Sequence, residues 1–261
     1  MPRTTDGPGS AGPPPPPPPL PQAADVTAAA VFRPVRAGNA FEETVERLLQ
    51  AIKLGVVDHG DRLPPERELA PLLGISRVTL REAIRALQQE GYVESRRGRA
   101  GGTFVTYRRP PPRKADLRRA LADMGDELND ALAYRAAVET GAAQVLAATP
   151  LTADQRTLLR TRLAEVDGAG PDDYRRRDTL FHLTIAELTG SRLLAAACAD
   201  ARLRVTDLLN AIPVLGPNIA HAAAQHAAIV DAILLADPEA ARRAVTEHLD
   251  GTAALLRGFL S

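Results

Sequence analysis

An internal disulfide framework is excluded, because the 261-residue chain contains a single cysteine, Cys198. Tryptophan is absent and aromatic residues make up only 3%, whereas alanine and leucine dominate the 45% of hydrophobic residues. That composition favours helices packed through aliphatic side chains. No apolar run approaches the roughly 18 residues of a membrane span, and the N-terminus lacks the apolar segment of a signal peptide. We therefore expect a helical protein of the reducing cytoplasm, with no membrane association.

Positive charge is concentrated in one segment, although the whole chain is neutral, with 32 Lys and Arg against 32 Asp and Glu. Residues 76–109 contain eight arginines and three glutamates, whereas residues 110–261 contain 17 basic and 20 acidic residues. A basic excess confined to one segment is typical of a nucleic-acid-binding module.

The first 38 residues contain seven consecutive prolines, at positions 13–19, and much glycine, alanine and threonine. Such a composition cannot bury a core and favours polyproline II structure where the prolines adjoin. We expect residues 1–38 to form a disordered tail. A PxxP ligand for a partner domain is the alternative role of this segment.

Residues 39–108 carry the pattern of three short helices followed by two strands. FEETVERLLQAIKLG is amphipathic, LPPERELAPLLG starts with proline and ends with glycine, and SRVTLREAIRALQQEG begins with the N-cap residue Ser76. Strands at 92–96 and 103–107 flank a glycine-rich turn. This order predicts a winged helix-turn-helix, whose third helix enters the major groove while the wing contacts the backbone or minor groove.

Arg77 and Arg81 lie one turn apart in that third helix, so both can point at DNA while Leu80 faces the core. Arginine can donate two hydrogen bonds to one guanine. Ser76 and Thr79 could bind phosphates or bases. The alternative is that these arginines form only a solvated helix face.

Residues 109–114, RPPPRK, predict a stiff basic linker, after which the pattern is helical. Thr152 with Gln155 forms a capping box, and Asp237 before Pro238 marks a further helix start. The predicted helices span residues 115–148, 152–167, 172–189, 191–211, 217–236 and 238–259. We expect a mainly α fold, with the winged helix-turn-helix followed by an all-α antiparallel helical bundle in residues 115–261.

Asp178 and His182 share one face of their predicted helix, because they are four residues apart. His226 and His248 occupy core-facing rows of the last two helices, whereas His221 is predicted to point away from His226. Three inward imidazoles and one inward carboxylate would form a divalent metal site suited to Zn, Ni, Mn or Fe, with positions left for water or substrate. The alternative is an ordinary ion pair of Asp178 with His182.

The segments LPPERELA, SRVTLREAIRAL and GYVESRRGRAGGTFV occur in the order found in GntR-type bacterial regulators. Residues 41–106 therefore resemble the DNA-binding domain of that family. The resemblance implies DNA contacts from the two motif helices and the wing, by Arg67, Ser76, Arg77, Thr79, Arg81, Arg97 and Gly98.

The segments AYRAAVE, DTLFHLTIAELTG, QHAAIVDAIL and AARRAVTEHL resemble the all-helical effector domain, called FCD, of the FadR branch of the same family, over residues 125–255. Many members bind metal through an Asp-x-x-x-His pair and two later histidines about 22 residues apart. The resemblance implies that Arg135 faces an effector pocket, with an ion pair to Glu139 as its alternative role. It also implies four metal ligands, Asp178, His182, His226 and His248.

Together these features predict a ligand-responsive transcription regulator, a homodimer that binds a palindromic double-stranded operator and takes a small carboxylate effector at its metal site. A metal-dependent hydrolase fused to a DNA-binding module is the alternative, since open metal sites are also catalytic. The chain has no HExxH motif and no general base evident by motif. A third hypothesis is a structural metal without an effector. We expect a regulator rather than an enzyme.

Overall fold

A computed structural model describes residues 30–35, 40–98, 101–108, 127–212, 214 and 216–258. Within these residues the chain is mainly α, as predicted, with nine helices and one two-stranded sheet. The predicted linker at 109–114 lies outside the described residues, as do the proline run and the predicted helical residues 115–126. In chain order the elements are α1 Ala40–Lys53, α2 Glu66–Leu73, α3 Arg77–Gln89, β1 Val93–Arg96, β2 Gly102–Val105, α4 Glu127–Ala147, α5 Ala153–Asp167, α6 Pro171–Leu188, α7 Arg192–Ala211, α8 Gly216–Leu234 and α9 Pro238–Gly258.

The first three helices and the sheet form the winged helix-turn-helix that the sequence predicted. Helix α2 ends at Gly74, which adopts the left-handed conformation that glycine tolerates best, with φ at 66°. Helix α3 begins after Ser76, whose hydroxyl oxygen accepts a hydrogen bond from the Thr79 amide at 3.1 Å. The antiparallel strands β1 and β2 place Val93 opposite Val105. Local capping and turn residues therefore set the boundaries of the motif.

A short apolar segment before α1 packs against this winged unit. Residues 30–32, Ala, Val and Phe, are buried in its hydrophobic core, and the Val35 amide donates a hydrogen bond to the Leu73 carbonyl oxygen at 2.9 Å. The prediction of a disordered tail through residue 38 is therefore wrong for residues 30–35. The prediction rested on the proline-rich composition of the whole segment. It overlooked the three apolar residues at 30–32, which are buried in the core of the winged unit.

Helices α4 to α9 form the antiparallel bundle. Helix α4 packs against α7 and α9, and α5 packs against α6. The predicted capping box is present, since the side chains of Thr152 and Gln155 each accept a hydrogen bond from the other residue's amide. Before α9, Asp237 Oδ1 accepts a hydrogen bond from the Ala240 amide at 2.9 Å. The helix starts that the sequence predicted are thus made by local hydrogen bonds.

Helix α6 lies at the centre of the bundle, in contact with α4, α5 and α7. Residues 178–186 of this helix are all buried. A helix that is buried on every side cannot leave its polar side chains in water, so each needs a partner inside the protein. This position carries Asp178 and His182 into the interior.

The two halves of the chain touch one another. Helix α1 packs against α7, and the hydrophobic core around Leu48 continues into the bundle as far as Leu183. Lys53 Nζ lies 3.2 Å from Asp207 Oδ2 across the same boundary. In the part of the chain that the structure describes, no helix is long and apolar enough to cross a membrane.

Candidate metal centre and DNA-binding surface

Four side chains from three helices meet inside the bundle: Asp178 and His182 from α6, His226 from α8 and His248 from α9. All four are buried, and one ligand atom from each lies within 4.8 Å of the other three. His182 Nε2 is 3.2 Å from His248 Nε2, and His226 Nε2 is 3.3 Å from Asp178 Oδ1. Donor atoms about 2.1 Å from one tetrahedral or octahedral metal lie about 3.0–3.4 Å apart. These two distances match that range.

Hydrogen bonds orient two of the imidazoles. His182 Nδ1 lies 2.8 Å from Glu139 Oε2, and His248 Nδ1 lies 3.1 Å from Gln225 Oε1. Because these oxygens accept a hydrogen bond, each Nδ1 carries the proton and each Nε2 presents a lone pair to the cluster. Two such nitrogens 3.2 Å apart are close enough to coordinate one metal ion.

His226 is the most deeply buried member of the cluster, with no exposed surface. Neither of its ring nitrogens has hydrogen-bond geometry to a partner within the described residues, although Nε2 lies 3.3 Å from Asp178 Oδ1. Leaving a buried polar group without a partner costs about 1–3 kcal/mol, and coordination of Nε2 to a cation would offset that cost. Three imidazole nitrogens and one carboxylate oxygen are therefore a donor set that could hold a divalent metal ion.

The carboxylates around the cluster are kept ionised. Burial opposes the ionisation of Glu139, yet the positive charges of Arg135 and Arg202 outweigh it and hold its pKa well below the usual range. Burial likewise opposes the ionisation of Asp178, and the adjacent Arg202 guanidinium holds the pKa of that carboxyl well below its usual range. Asp178 therefore carries the negative charge that a metal ligand needs.

Two imidazoles of the cluster, those of His182 and His248, are kept neutral. Burial lowers the pKa of His248 well below that of a free imidazole, and the neighbouring His182 and His226 act in the same direction. Burial and the charge of Arg202 also lower the pKa of His182. A neutral imidazole is the form that coordinates a metal.

A cavity of about 260 Å³ opens beside the cluster and shares Asp178 and His248 with it. Arg135 also lines this cavity. Its Nε donates a hydrogen bond to Glu139 Oε1 at 2.7 Å, which is the ion pair offered above as its alternative role. Its Nη1 is buried and makes no hydrogen bond among the described residues. Arg135 thus lines the cavity with one nitrogen held by Glu139 and another without a hydrogen-bond partner among the described residues.

Sequence patterns missed several residues around this site. Arg202 binds the carboxylates of Glu139 and Asp178 at this site, yet no rule of sequence spacing links residue 202 to either of them. Tyr174 lines the cavity and could have been found, because it lies four residues before Asp178 on the same helix face. His221, predicted to point away from His226, also lies in the cavity wall, on the face of α8 that it shares with Asn218 and Gln225.

The seven residues predicted to contact DNA lie at the start of α2, at the start of α3 and in the wing. Six are exposed and Thr79 is partly buried. Arg81 Nε forms an ion pair with Glu66 Oε2 at 2.7 Å, which connects α3 to the start of α2. Gly98 follows β1 with φ at 105°, a conformation that favours glycine in the turn of the wing. The structure leaves the six exposed residues accessible to a nucleic acid.

Comparison with known proteins identifies the family. Residues 41–105 match the family described as bacterial regulatory proteins, gntR family, and residues 130–251 match the FCD domain. Over 225 residues the chain is 31% identical to a Mycobacterium gastri protein provisionally named HTH-type transcriptional regulator RmpR, covering 84% of this chain and 81% of that one. The chain belongs to the GntR family. This GntR-family member, with its FCD domain, is a transcription regulator, as the sequence predicted.

A second relative and one solved structure are also similar to this GntR-family regulator. An Escherichia coli K12 protein, provisionally named L-lactate dehydrogenase operon regulatory protein, is 31% identical over 228 residues, which cover 84% of this chain and 86% of that one. The solved structure of E. coli McbR/YncC superposes with a TM-score of 0.51 at 19% identity, covering 85% of this chain and 99% of that chain. The latter similarity shows a shared fold.

Proposed function

We propose that this GntR-family regulator belongs to the FadR branch, holds a divalent metal ion in its FCD domain and changes its affinity for an operator when a small carboxylate binds there. One observation carries the proposal: Asp178 and His248 belong both to the histidine cluster and to the wall of the adjoining cavity. A purely structural metal needs no ligand-sized cavity at its side. Arg135, in the same wall, adds a cationic hydrogen-bond donor for an anionic ligand.

The proposed metal ligands are Asp178 Oδ1 and the Nε2 atoms of His182, His226 and His248. This donor set suits Zn, Ni or Mn. Four protein ligands leave one or two positions on a five- or six-coordinate ion. When bound, the ion supplies a Lewis acid to which a carboxylate oxygen can coordinate.

Within the cavity, Arg135 Nη1 would donate a hydrogen bond to the effector's carboxylate, while Glu139 holds the rest of the guanidinium in place. The volume of about 260 Å³ limits the effector to a small molecule. L-Lactate is the first probe, because the E. coli relative is named for an L-lactate dehydrogenase operon. L-Lactate also carries a carboxylate and an adjacent hydroxyl, and these two groups can coordinate one metal ion.

DNA recognition is assigned to residues 39–108 and effector binding to residues 115–261. Arg77 and Arg81 would donate hydrogen bonds to base edges, and Val78, which is 64% exposed, would contact a thymine methyl group. The remaining contacts would come from Arg67, Ser76, Thr79, Arg97 and Gly98. A single winged unit reads a short half-site, so we infer a homodimer on a palindromic operator. The cytoplasm, where bacterial DNA lies, is the inferred site of action.

The hydrolase alternative requires a general base beside the metal. Among the described residues that line the cavity, Asp178 is the only carboxylate, and its second oxygen is bound by Arg202. His221 is the only imidazole among them outside the proposed ligand set. We therefore infer a regulator rather than an enzyme. Metal-dependent hydrolysis that disappears in His221→Ala would reverse this inference.

Metal content and operator titrations test the proposal. Elemental analysis of the wild type should find about one divalent ion per chain, and His248→Ala should lose it. Glu247→Ala is the matched control, because this exposed side chain precedes His248 on α9. Failure of the wild type to bind Zn, Ni or Mn would refute the metal site.

The effector part is tested by titrating an operator from the upstream region of the gene, with and without L-lactate and other small carboxylates. A carboxylate should change operator affinity in the metal-loaded wild type and in Glu247→Ala, but not in His248→Ala. Operator affinity without carboxylate should change far less, because the cluster and the DNA contacts lie in different halves. Sedimentation should show two chains per operator. A metal-loaded protein that responds to none of the carboxylates would refute the effector assignment.

A further inference from the structure

Arg202 lies on α7, buried between two carboxylates that belong to different helices. Its Nη1 is 3.2 Å from Glu139 Oε1 and 3.0 Å from Oε2, and its Nη2 donates a hydrogen bond to Asp178 Oδ2. The side chain is 3% exposed. One guanidinium therefore joins Asp178, a proposed metal ligand, to Glu139, the hydrogen-bond acceptor for His182 Nδ1.

We propose that Arg202 is a positioning residue of the metal site, which makes Asp178 coordinate through one oxygen and holds Glu139 where it orients His182. This inference rests on the metal function proposed above. Because the guanidinium binds Oδ2, only Oδ1 of Asp178 is left for the metal. A carboxylate that binds through one oxygen leaves open a coordination position that a bidentate carboxylate would fill. An effector can take that position from the adjoining cavity.

Arg202 acts through these two carboxylates and not on the effector. It is absent from the described residues that line the 260 Å³ cavity, whereas Arg135 and Asp178 are among them. Lysine cannot reproduce the arrangement, because an ammonium is a compact point charge. The planar guanidinium offers separate N–H donors in fixed directions to two carboxylates. The chemistry of arginine itself is therefore required at this position.

Cobalt(II) is a suitable probe, because its visible absorption weakens as its coordination number rises. The full-length protein is stripped of metal and titrated with Co²⁺ as wild type, Arg202→Lys and Arg162→Lys. Arg162 is a matched control, since it is also buried in the bundle and its hydrogen bonds include those to Thr184 and Glu165.

Arg202→Lys should bind Co²⁺ at least tenfold more weakly, because loss of a residue that orients metal ligands lowers metal affinity by about 10–100-fold. Its cobalt band should also weaken, since Asp178 becomes free to coordinate through both oxygens. Arg162→Lys should keep the wild-type affinity and band.

A folded Arg202→Lys protein with the wild-type affinity and cobalt band would overturn the positioning role and leave the metal site standing, even if its Tm were lower. A wild type that binds no Co²⁺ would overturn the metal function and the positioning role together. If Arg202→Lys does not fold, the double variant Glu139→Gln/Arg202→Gln is used. It removes one buried charge of each sign, so the net charge of the buried network is unchanged, and Co²⁺ affinity and the cobalt band are measured as before.

Discussion

Arg176 and Asp58 form an ion pair between the two halves of the chain, with 3.1 Å between Nε and Oδ2. The same Nε donates a hydrogen bond to the Gly55 carbonyl oxygen at 3.0 Å. Arg176 lies two residues before Asp178 on α6, so the helix that carries half of the proposed metal ligands also binds the loop after α1. That loop is hydrogen-bonded to the wing, since the Gly60 amide donates to the Val105 carbonyl oxygen at 2.8 Å.

Arg176→Ala should loosen this contact. It removes a half-buried charged hydrogen bond and an ion pair, so we expect a loss of about 1–2 kcal/mol in the free energy of unfolding. Amide hydrogen exchange in residues 54–61 should become faster. Arg177→Ala is the matched control, because its partners, Asp173 and Glu165, lie within the bundle. Equal exchange rates in this loop for both variants would contradict the assigned contact.

Acid should destabilise the metal-free protein in two stages. The pKa values of His182 and His248 are lowered in the folded state, so below about pH 6.5 the unfolded chain binds protons that the folded chain does not. Stability therefore falls as the pH drops below 6.5. It falls further below about pH 4.5, because the pKa values of Asp178 and Glu139 are lowered as well.

Thermal unfolding of chelator-treated protein between pH 8 and pH 4 measures both stages. His248→Gln should lose less stability than the wild type between pH 6.5 and pH 5, because glutamine does not titrate. His59→Gln is the control variant, because it replaces an exposed imidazole in the winged unit, outside the cluster. A His248→Gln profile that matches the wild type between pH 7 and pH 5 would show that His248 is not held neutral.

Glu187 should have the opposite pH dependence. Burial raises the pKa of this carboxyl to about 7, and its Oε1 makes no hydrogen bond among the described residues. The folded chain therefore binds the proton more tightly than the unfolded chain, and stability is lost as the pH rises from about 4.5 to 7.

Glu187→Gln should stabilise the protein by about 1 kcal/mol at pH 8 and have little effect at pH 4.5. The gain is smaller than the pKa shift alone implies, because part of the side chain remains in water. Urea unfolding at the two pH values measures it, with the exposed Glu247→Gln as control. A Glu187→Gln protein no more stable than the wild type at pH 8 would contradict the burial of an ionised carboxylate.

Arg77 and Arg81 should each contribute to operator recognition. Replacing either by alanine should weaken specific binding by about 1–3 kcal/mol and relax the preference at one base pair of each half-site. Arg204→Ala removes an exposed arginine from α7, in the other half of the chain, and should leave binding unchanged. Competition between operator variants and unrelated DNA separates affinity from specificity. Wild-type affinity and selectivity in both Arg77→Ala and Arg81→Ala would rule out α3 as the recognition helix.

The sequence by itself determined where several helices begin. The N-cap Ser76, the capping box of Thr152 with Gln155 and the Asp237-Pro238 pair act over three or four residues, so their effect can be predicted without knowing the fold. The spacing of four residues between Asp178 and His182 likewise placed both on one helix face. These predictions rest on the geometry of a single helix.

Only the tertiary structure decided which polar groups share the interior. Arg202 is hydrogen-bonded to Glu139, which is 63 residues away in the sequence, and to Asp178, which is 24 residues away. Arg176 is hydrogen-bonded to Gly55, which is 121 residues away. No local period links such positions, because helix packing brings them together and burial then requires every charge to find a partner. Tertiary packing also explains why residues 30–32 are buried although the segment around them is rich in proline. A short apolar segment is buried where it can pack against another apolar surface.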